Sequence, residues 1–176
     1  MKNIFIKILG LNNYHRLLKC IYFIIYITGI VKYNSKYEYH YFIRHLIDKG
    51  DIIINFGAKS GFYSFLLTKW TGNTGKVITV EDHTTNPSAL FEDMDRINYI
   101  KCDKEGLEYS ILSDMREIIE KFNPIVQVNV FPDNRKEILE LFDELGYTPY
   151  KLYNYQLIPQ VENNDSLSGD YFFINN

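Results

Sequence analysis

The sequence predicts an open α/β fold, a doubly wound and mostly parallel sheet with an antiparallel strand near the C-terminus. Three observations carry this. First, Asp51–Gly61, DIIINFGAKSG, runs an apolar β-branched stretch straight into a glycine turn, and Phe62–Trp70 follows as a helix. Second, strand-like and helical runs alternate from there to about residue 153, the pattern of a parallel sheet with helices on both faces. Third, right-handed crossovers bring the strand ends to one edge, where the chain places Asn55, Glu81, Asp103 and Asn129.

Taken in order, residues 1–34 are a helical, apolar lead-in, and the expected boundary sets 1–36 before a domain of 37–176. Glu38–Lys49 puts Tyr41, Phe42, His45 and Leu46 at helical spacing and stops at Lys49-Gly50. Ile52, Ile53 and Ile54 suit one buried parallel strand. Gly57 and Gly61 bracket a turn that lets the backbone approach a ligand, and the next helix begins with free N–H groups. Such a turn taken alone is equally a tight structural turn. Residues 71–75, TGNTG, form a second turn, and Lys76–Glu81 is a strand ending in a carboxylate. Pro87 opens a short helix, Ala89–Met94, and Ile97–Cys102 is a third strand. Gly106–Phe122 is a long amphipathic helix with Leu107, Ile111, Leu112, Met115, Ile118 and Ile119 along one side. Pro124–Val130 is a strand and Arg135–Leu145 a helix stopped by Gly146. Tyr147–Tyr153 and Tyr171–Ile174 close the sheet as a strand pair joined by polar Glu162–Asp170.

Composition narrows the function classes. With 176 residues, 46% of them hydrophobic, the chain has the makings of one globular domain with a real core. A net charge of −3 and scattered Lys and Arg argue against nucleic-acid binding. Cys20 and Cys102 lack CxxC spacing and fit reduced thiols of a cytoplasmic protein, with no metal site indicated. The apolar run Cys20–Val31, preceded by His15, Arg16 and Lys19, is short of the roughly 20 residues that span a bilayer. Three readings of it stand: a packed helix, an interfacial anchor giving peripheral membrane contact through residues 17–31, or a cleaved signal. The sequence leaves the oligomeric state open.

These residues resemble a family. GDIIINFGAKSGFYSFLLTKWTGNTGKVITVE is similar to the cofactor half of FkbM-type methyltransferases, GDxxxDxGANxGxYS followed by GKVxxxEP. INYIKCDKEGLEYSIL resembles the second signature, IDxIKxDVEGAExxVL, and PIVQVNV with a later LGY resembles the PxxxxEV…GY ending. The resemblance covers Tyr37 to about Tyr153. It implies a Rossmann-like class I methyltransferase fold, reduced in size, with S-adenosylmethionine (SAM) as cofactor. The acceptor it implies is an oxygen of a glycan or small hydroxylated metabolite. By position, Asn55, Phe56, Gly57, Ala58, Gly61 and Tyr63 are the cofactor-binding candidates around the turn. Glu81, with Asp82 beside it, would accept hydrogen bonds from the ribose hydroxyls. Asp103 would lie near the transferred methyl group, and an alcohol acceptor gains from such a base. His83 is a second catalytic candidate, and a lone loop histidine is equally a surface residue. Glu105 and Glu108, at the start of the next helix, read as caps. Lys101 reads as lying at the sheet margin and Cys102 as a small buried apolar residue.

The departures define a second reading. Asn55 stands where the family has Asp, Lys59 where it has Asn, Asn129 where it has Glu, and Asp82 replaces Pro. Fewer carboxylates and an added lysine suit a sulfonium less well. Fifteen residues separate Glu81 from Ile97, too few for the full βαβ unit of about 30 that encloses the adenine. The alternative function is a non-catalytic domain that keeps the sheet and binds a partner or other ligand.

Overall fold

The computed structural model describes residues 10–29, 38–57, 62–81, 87–160 and 168–175. Two compact units divide the chain at Ile43 and Arg44. In the first, helix α1 (Leu11–Ile27) ends where the Thr28 hydroxyl donates to the Ile24 and Ile25 carbonyls at 2.9 and 3.0 Å. Leu17, Ile21 and Ile24 stay exposed along it. Among the described residues no helix is long and apolar enough to cross a membrane. Helix α2 (Glu38–Phe42) gives way to a 3-10 turn, Ile43–His45, so the helix expected to reach Lys49 stops early. The chain then turns into the sheet: the Asp51 carboxylate accepts the Asp48 N–H at 2.8 Å, which holds 48–51 out of helical geometry.

The second unit is built on seven strands: β1 (Ile52–Phe56), β2 (Lys76–Val80), β3 (Tyr99–Cys102), β4 (Ile125–Val130), β5 (Tyr147–Tyr153), β6 (Gln156–Pro159) and β7 (Gly169–Asn175). They lie in the order β2-β1-β3-β4-β7-β5-β6. The first four are parallel, and β7 enters antiparallel between β4 and β5. The predicted α/β architecture with a C-terminal antiparallel strand is therefore the observed one. Helix α3 (Phe62–Thr71) follows β1, α4 (Glu108–Asp114) and α5 (Arg116–Phe122) follow β3, and α6 (Arg135–Glu144) follows β4.

One face of the sheet forms the main core. Ile54, Ile100, Cys102, Val126, Val128 and Phe173 pack there with Leu112, Ile119, Ile138 and Phe142 of the helices. Phe142 stacks on Phe173 at 3.9 Å between ring centres. Burial of such side chains is worth roughly 1.5–3 kcal/mol each and dominates the stability of the layer.

Three elements differ from expectation. The long helix over 106–122 breaks at Met115, whose ψ of 4° interrupts two seven-residue helices. Ser113 and Asp114 precede the break, and both compete with helical backbone bonds. Ala89–Met94 forms one 3-10 turn, Ser88–Leu90, instead of a helix. Strand β6 was not expected. It pairs with β5 across a two-residue turn in which Asn154 and Tyr155 take φ of 49° and 63°. Tyrosine is not a residue that announces a left-handed turn position.

At the end of β1, Gly57 takes φ of 85°, and a Cβ added to it would lie 2.0 Å from the Asp103 carbonyl oxygen. Gly57→Ala therefore forces both backbone strain and a clash, and it should cost more than about 2 kcal/mol, or roughly 4–8 °C in Tm. Gly146→Ala, at φ of 76° with nothing within 4 Å, is the control and should cost about 1 kcal/mol. Paired thermal melts check this, and equal losses would remove the clash from the account.

Candidate cofactor and acceptor site

Three backbone contacts gather the strand ends. The Gly57 N–H donates to the Val80 carbonyl at 3.3 Å, and the Asp103 N–H donates to the Phe56 carbonyl at 3.2 Å. The third is the close approach of Gly57 to the Asp103 carbonyl. With β1 between β2 and β3, Gly57 at the end of β1 lies between the two acidic ends. Glu81 follows β2 with an exposed side chain, and Asp103 follows β3 with its side chain 41% exposed. Lys104 spans the gap above β1, its ammonium donating to the Glu81 carbonyl. The family's second signature has valine at this position, and sequence reasoning assigns Lys104 no part.

A polar layer lies across the sheet face opposite the main core. The register aligns Thr79, Asn55, Lys101 and Gln127 across β2, β1, β3 and β4, with Asp170 of β7 opposite Asn129. Lys101 is not at a sheet margin. It sits in the second of the central strands, 5% exposed, because its ammonium finds partners there. Nζ lies 3.0 Å from Asp103 Oδ2 and 4.9 Å from the centre of the Tyr63 ring. Asn129 Nδ2 makes a long contact, 3.5 Å, with the other Asp103 oxygen. Beneath them the Tyr99 hydroxyl donates to Gln127 Oε1 at 2.9 Å, and Gln127 Nε2 donates to Asp170 Oδ1 at 2.7 Å.

Desolvation dominates the electrostatics of this layer. It pushes the Asp170 carboxyl up to about 6, with Lys101 and the Gln127 hydrogen bond opposing and Asp103 adding to the rise. The residue keeps some surface of its own, so it is the carboxyl that is enclosed. Asp170 is not a candidate by sequence. Its only signal is an acidic residue at the head of an aromatic strand, and the pairing that matters is 41 residues away at Asn129.

The remaining candidates fall in distinct places. The Asn55 amide, 1% exposed, donates to Ser64 Oγ at 3.1 Å, and Ser64 in turn shares a 2.9 Å bond with Thr79. Phe56 is a core residue, edge-on to Phe91, and offers the turn only its backbone. Tyr63 stands on the first turn of α3 beside Lys101. Ala58, Gly61, Asp82 and His83, with Lys59, lie outside the described residues. Glu108 is fully buried, its Oε2 accepting from the Gly106 N–H and from Asn134 Nδ2, both at 3.0 Å. Asn134 also accepts the Phe131 N–H, so Glu108 ties the loop after β3 to the loop after β4. Cys102 is buried, and desolvation followed by the Glu108 carboxylate holds its thiol well above the ordinary range. It is a packing residue.

On the other side of Glu81, the short connection leaves β2 at the edge of the sheet. Ile78, Val80, Leu90, Phe91 and Met94 line an open groove there of about 630 Å³, with Glu81 on its rim.

An open α/β sheet with acidic residues past the two strands that flank β1 is the architecture in which ligands bind outside the strand C-termini. The chain belongs to the FkbM methyltransferase family: the model of the methyltransferase FkbM domain matches residues 6–149. Similar solved structures include a SAM-dependent O-methyltransferase from Thermotoga maritima, at 20% identity and a TM-score of 0.47. That match covers 76% of this chain and 63% of the Thermotoga chain. A precorrin-6y C5,15-methyltransferase from Geobacter metallireducens matches at 14% identity and a TM-score of 0.46, covering 76% of this chain and 82% of that one. A protein-(glutamine-N5) methyltransferase from Alicyclobacillus acidocaldarius matches at 14% and 0.45, over 76% and 86%. No curated protein matches the chain.

Because the Asp170 carboxyl is raised from 3.8 to about 6, its contribution favours folding at low pH and is lost as pH rises through about 6. Asp170→Asn keeps an acceptor for Gln127 and removes the charge. It should level that decline and add about 2 kcal/mol, roughly 4–8 °C in Tm, at neutral pH. Melts of both proteins across this range test it; parallel curves would mean that Asp170 ionises freely.

Proposed function

We propose that this chain binds SAM across the ends of β2, β1 and β3 and methylates an oxygen of a glycan or small hydroxylated metabolite. The observation that carries the reading is the flanking of the Gly57 turn by exposed Glu81 on one side and Asp103 on the other. The donor and acceptor set fits the cofactor at its ribose end, where Glu81 offers two carboxylate oxygens to a pair of hydroxyls. SAM, when bound, supplies an electrophilic methyl group. The chain's part is placement. Asp103 is the group to receive the acceptor's proton, with Lys101 and Asn129 fixing its orientation from the strand below. The apolar wall of Leu90, Phe91 and Met94 next to Glu81 supports a seat for the base in place of the longer family segment.

A second reading, a non-catalytic methyltransferase fold that binds a partner or another ligand in place of SAM, is favoured by one observation: Lys104 lies across the slot on the Glu81 carbonyl. An ammonium there opposes a sulfonium and must move for a ligand to settle.

Thermal unfolding with SAM and with its demethylated product separates the two. At 100 times the dissociation constant a ligand stabilises by about 2.7 kcal/mol, or roughly 5–11 °C here. The first reading expects that shift in the wild type and its loss in Glu81→Ala without loss of fold. An unshifted wild type at millimolar ligand would sink it.

Lys104→Ala should tighten SAM binding by about 10-fold, a change of ~1.4 kcal/mol, if the lysine bars the slot. Titration calorimetry decides; weaker binding in the variant would make Lys104 a ligand for the cofactor's carboxylate instead.

A further inference from the structure

We propose that the outer face of helix α1 lies flat on an anionic bilayer surface, its aliphatic stripe set into the headgroup boundary. The inference goes beyond methyl transfer and does not depend on it. Helix α1 is apolar on two sides. Tyr14, Leu18, Ile25 and Tyr26 are half-buried on the inner one, where the Tyr26 ring lies 5.5 Å from that of Tyr41 between centres. On the outer one Leu17, Ile21 and Ile24, with Cys20 and Ile27 beside them, recur at spacings of three and four residues. All five are exposed, Ile24 and Ile27 to 59% and 62%. A helix that is apolar all round is suited to burial on every side, and here one side is left uncovered. Among the described residues no helix is long and apolar enough to cross a membrane, so this one lies along the surface and not through it.

Charge selects the occupant. All 22 Asp and Glu of the chain lie from Glu38 onward, whereas Lys2, Lys7, Arg16, Lys19, Lys32 and Lys36 precede it. A chain of net charge −3 therefore begins with a stretch whose every Lys, Arg, Asp or Glu is a cation. Within α1 itself the charged positions are Arg16 and Lys19, and Arg16 is exposed at the flank of the stripe. Cations beside an apolar helix face are drawn to acidic lipids, each contributing roughly a factor of 5 in affinity near the surface. The two contributions are needed together, because a single weak signal gives only marginal membrane binding. The same charges disfavour a second copy, since pairing two α1 helices sets cation against cation with no carboxylate in either. An anionic surface repels the acidic remainder of the chain and attracts this end of it.

Cys20 gives a site-specific readout, because it lies in the stripe and is exposed while Cys102 is buried. The full chain, labelled at Cys20 with a polarity-sensitive fluorophore, is titrated with vesicles of phosphatidylcholine alone and of phosphatidylcholine with one third phosphatidylglycerol. Unlabelled chain is co-sedimented with the same vesicles. A blue shift with the anionic vesicles is expected, with binding at least about 10-fold weaker to the neutral ones and weakened by salt. Arg16→Gln should weaken binding about 5-fold. Ile21→Asp with Ile24→Asp should abolish it and, both positions being exposed, leave the melting curve in place. No binding to anionic vesicles, equal binding to neutral ones, binding without a change at Cys20, or a double variant that binds like the wild type would each overturn the proposal. A Cys20 shift that grows with protein concentration in the absence of vesicles would overturn it in favour of a second copy.

Discussion

The close approach of Gly57 to Asp103 is the constraint on which the site depends. Three strand ends meet there through backbone alone: Val80 to Gly57, Phe56 to Asp103, and the bare α-carbon of Gly57 against the Asp103 carbonyl. A Cβ at Gly57 would lie 2.0 Å from the Asp103 carbonyl oxygen, so this approach requires glycine. That nearness sets the distance between the glycine turn and the half-open carboxylate just past β3. Everything else about the site is arranged around this fixed separation.

Beneath that point the sheet does something a parallel sheet seldom does. Strands buried on both faces favour aliphatic runs, yet this one carries a row of Thr79, Asn55, Lys101 and Gln127 through its centre. Burying an ammonium is costly unless it is paired and hydrogen-bonded. Lys101 meets that condition with Asp103 above it and the Tyr63 ring beside it. The same layer encloses the Asp170 carboxyl, whose ionisation burial disfavours.

The shortened link between β2 and β3 has opposite effects on the two sides of Glu81. Toward β1 it changes nothing, since the register of β2 with β1 runs unbroken from Lys76 to Val80. Away from β1, among the described residues, no further strand lies beside β2, and an apolar groove opens there. β1 keeps its parallel pairing with β2 and β3 as far as Val80 and Cys102. Lys104 reaches from the end of β3 to the Glu81 carbonyl past the end of β2.

Much of this was legible in the sequence. Local patterns announced β1 to β5, β7 and the placement of Glu81 and Asp103 just past β2 and β3, because each depends on residues within a few positions of one another. Strand β6 was not, since its turn is made by Asn154 and Tyr155 without a glycine, and the break at Met115 was hidden in an unbroken amphipathic pattern. The burial of Lys101, the rise of the Asp170 carboxyl and the reach of Lys104 depend on partners that meet only when β3, β4, β7 and β2 are side by side. The sequence by itself determined the alternation, the placement of acidic residues past β2 and β3, and the family. Tertiary structure decided which charges are buried and which strand edge stays open, because desolvation and pairing act between residues that are distant along the chain and adjacent only in the folded sheet.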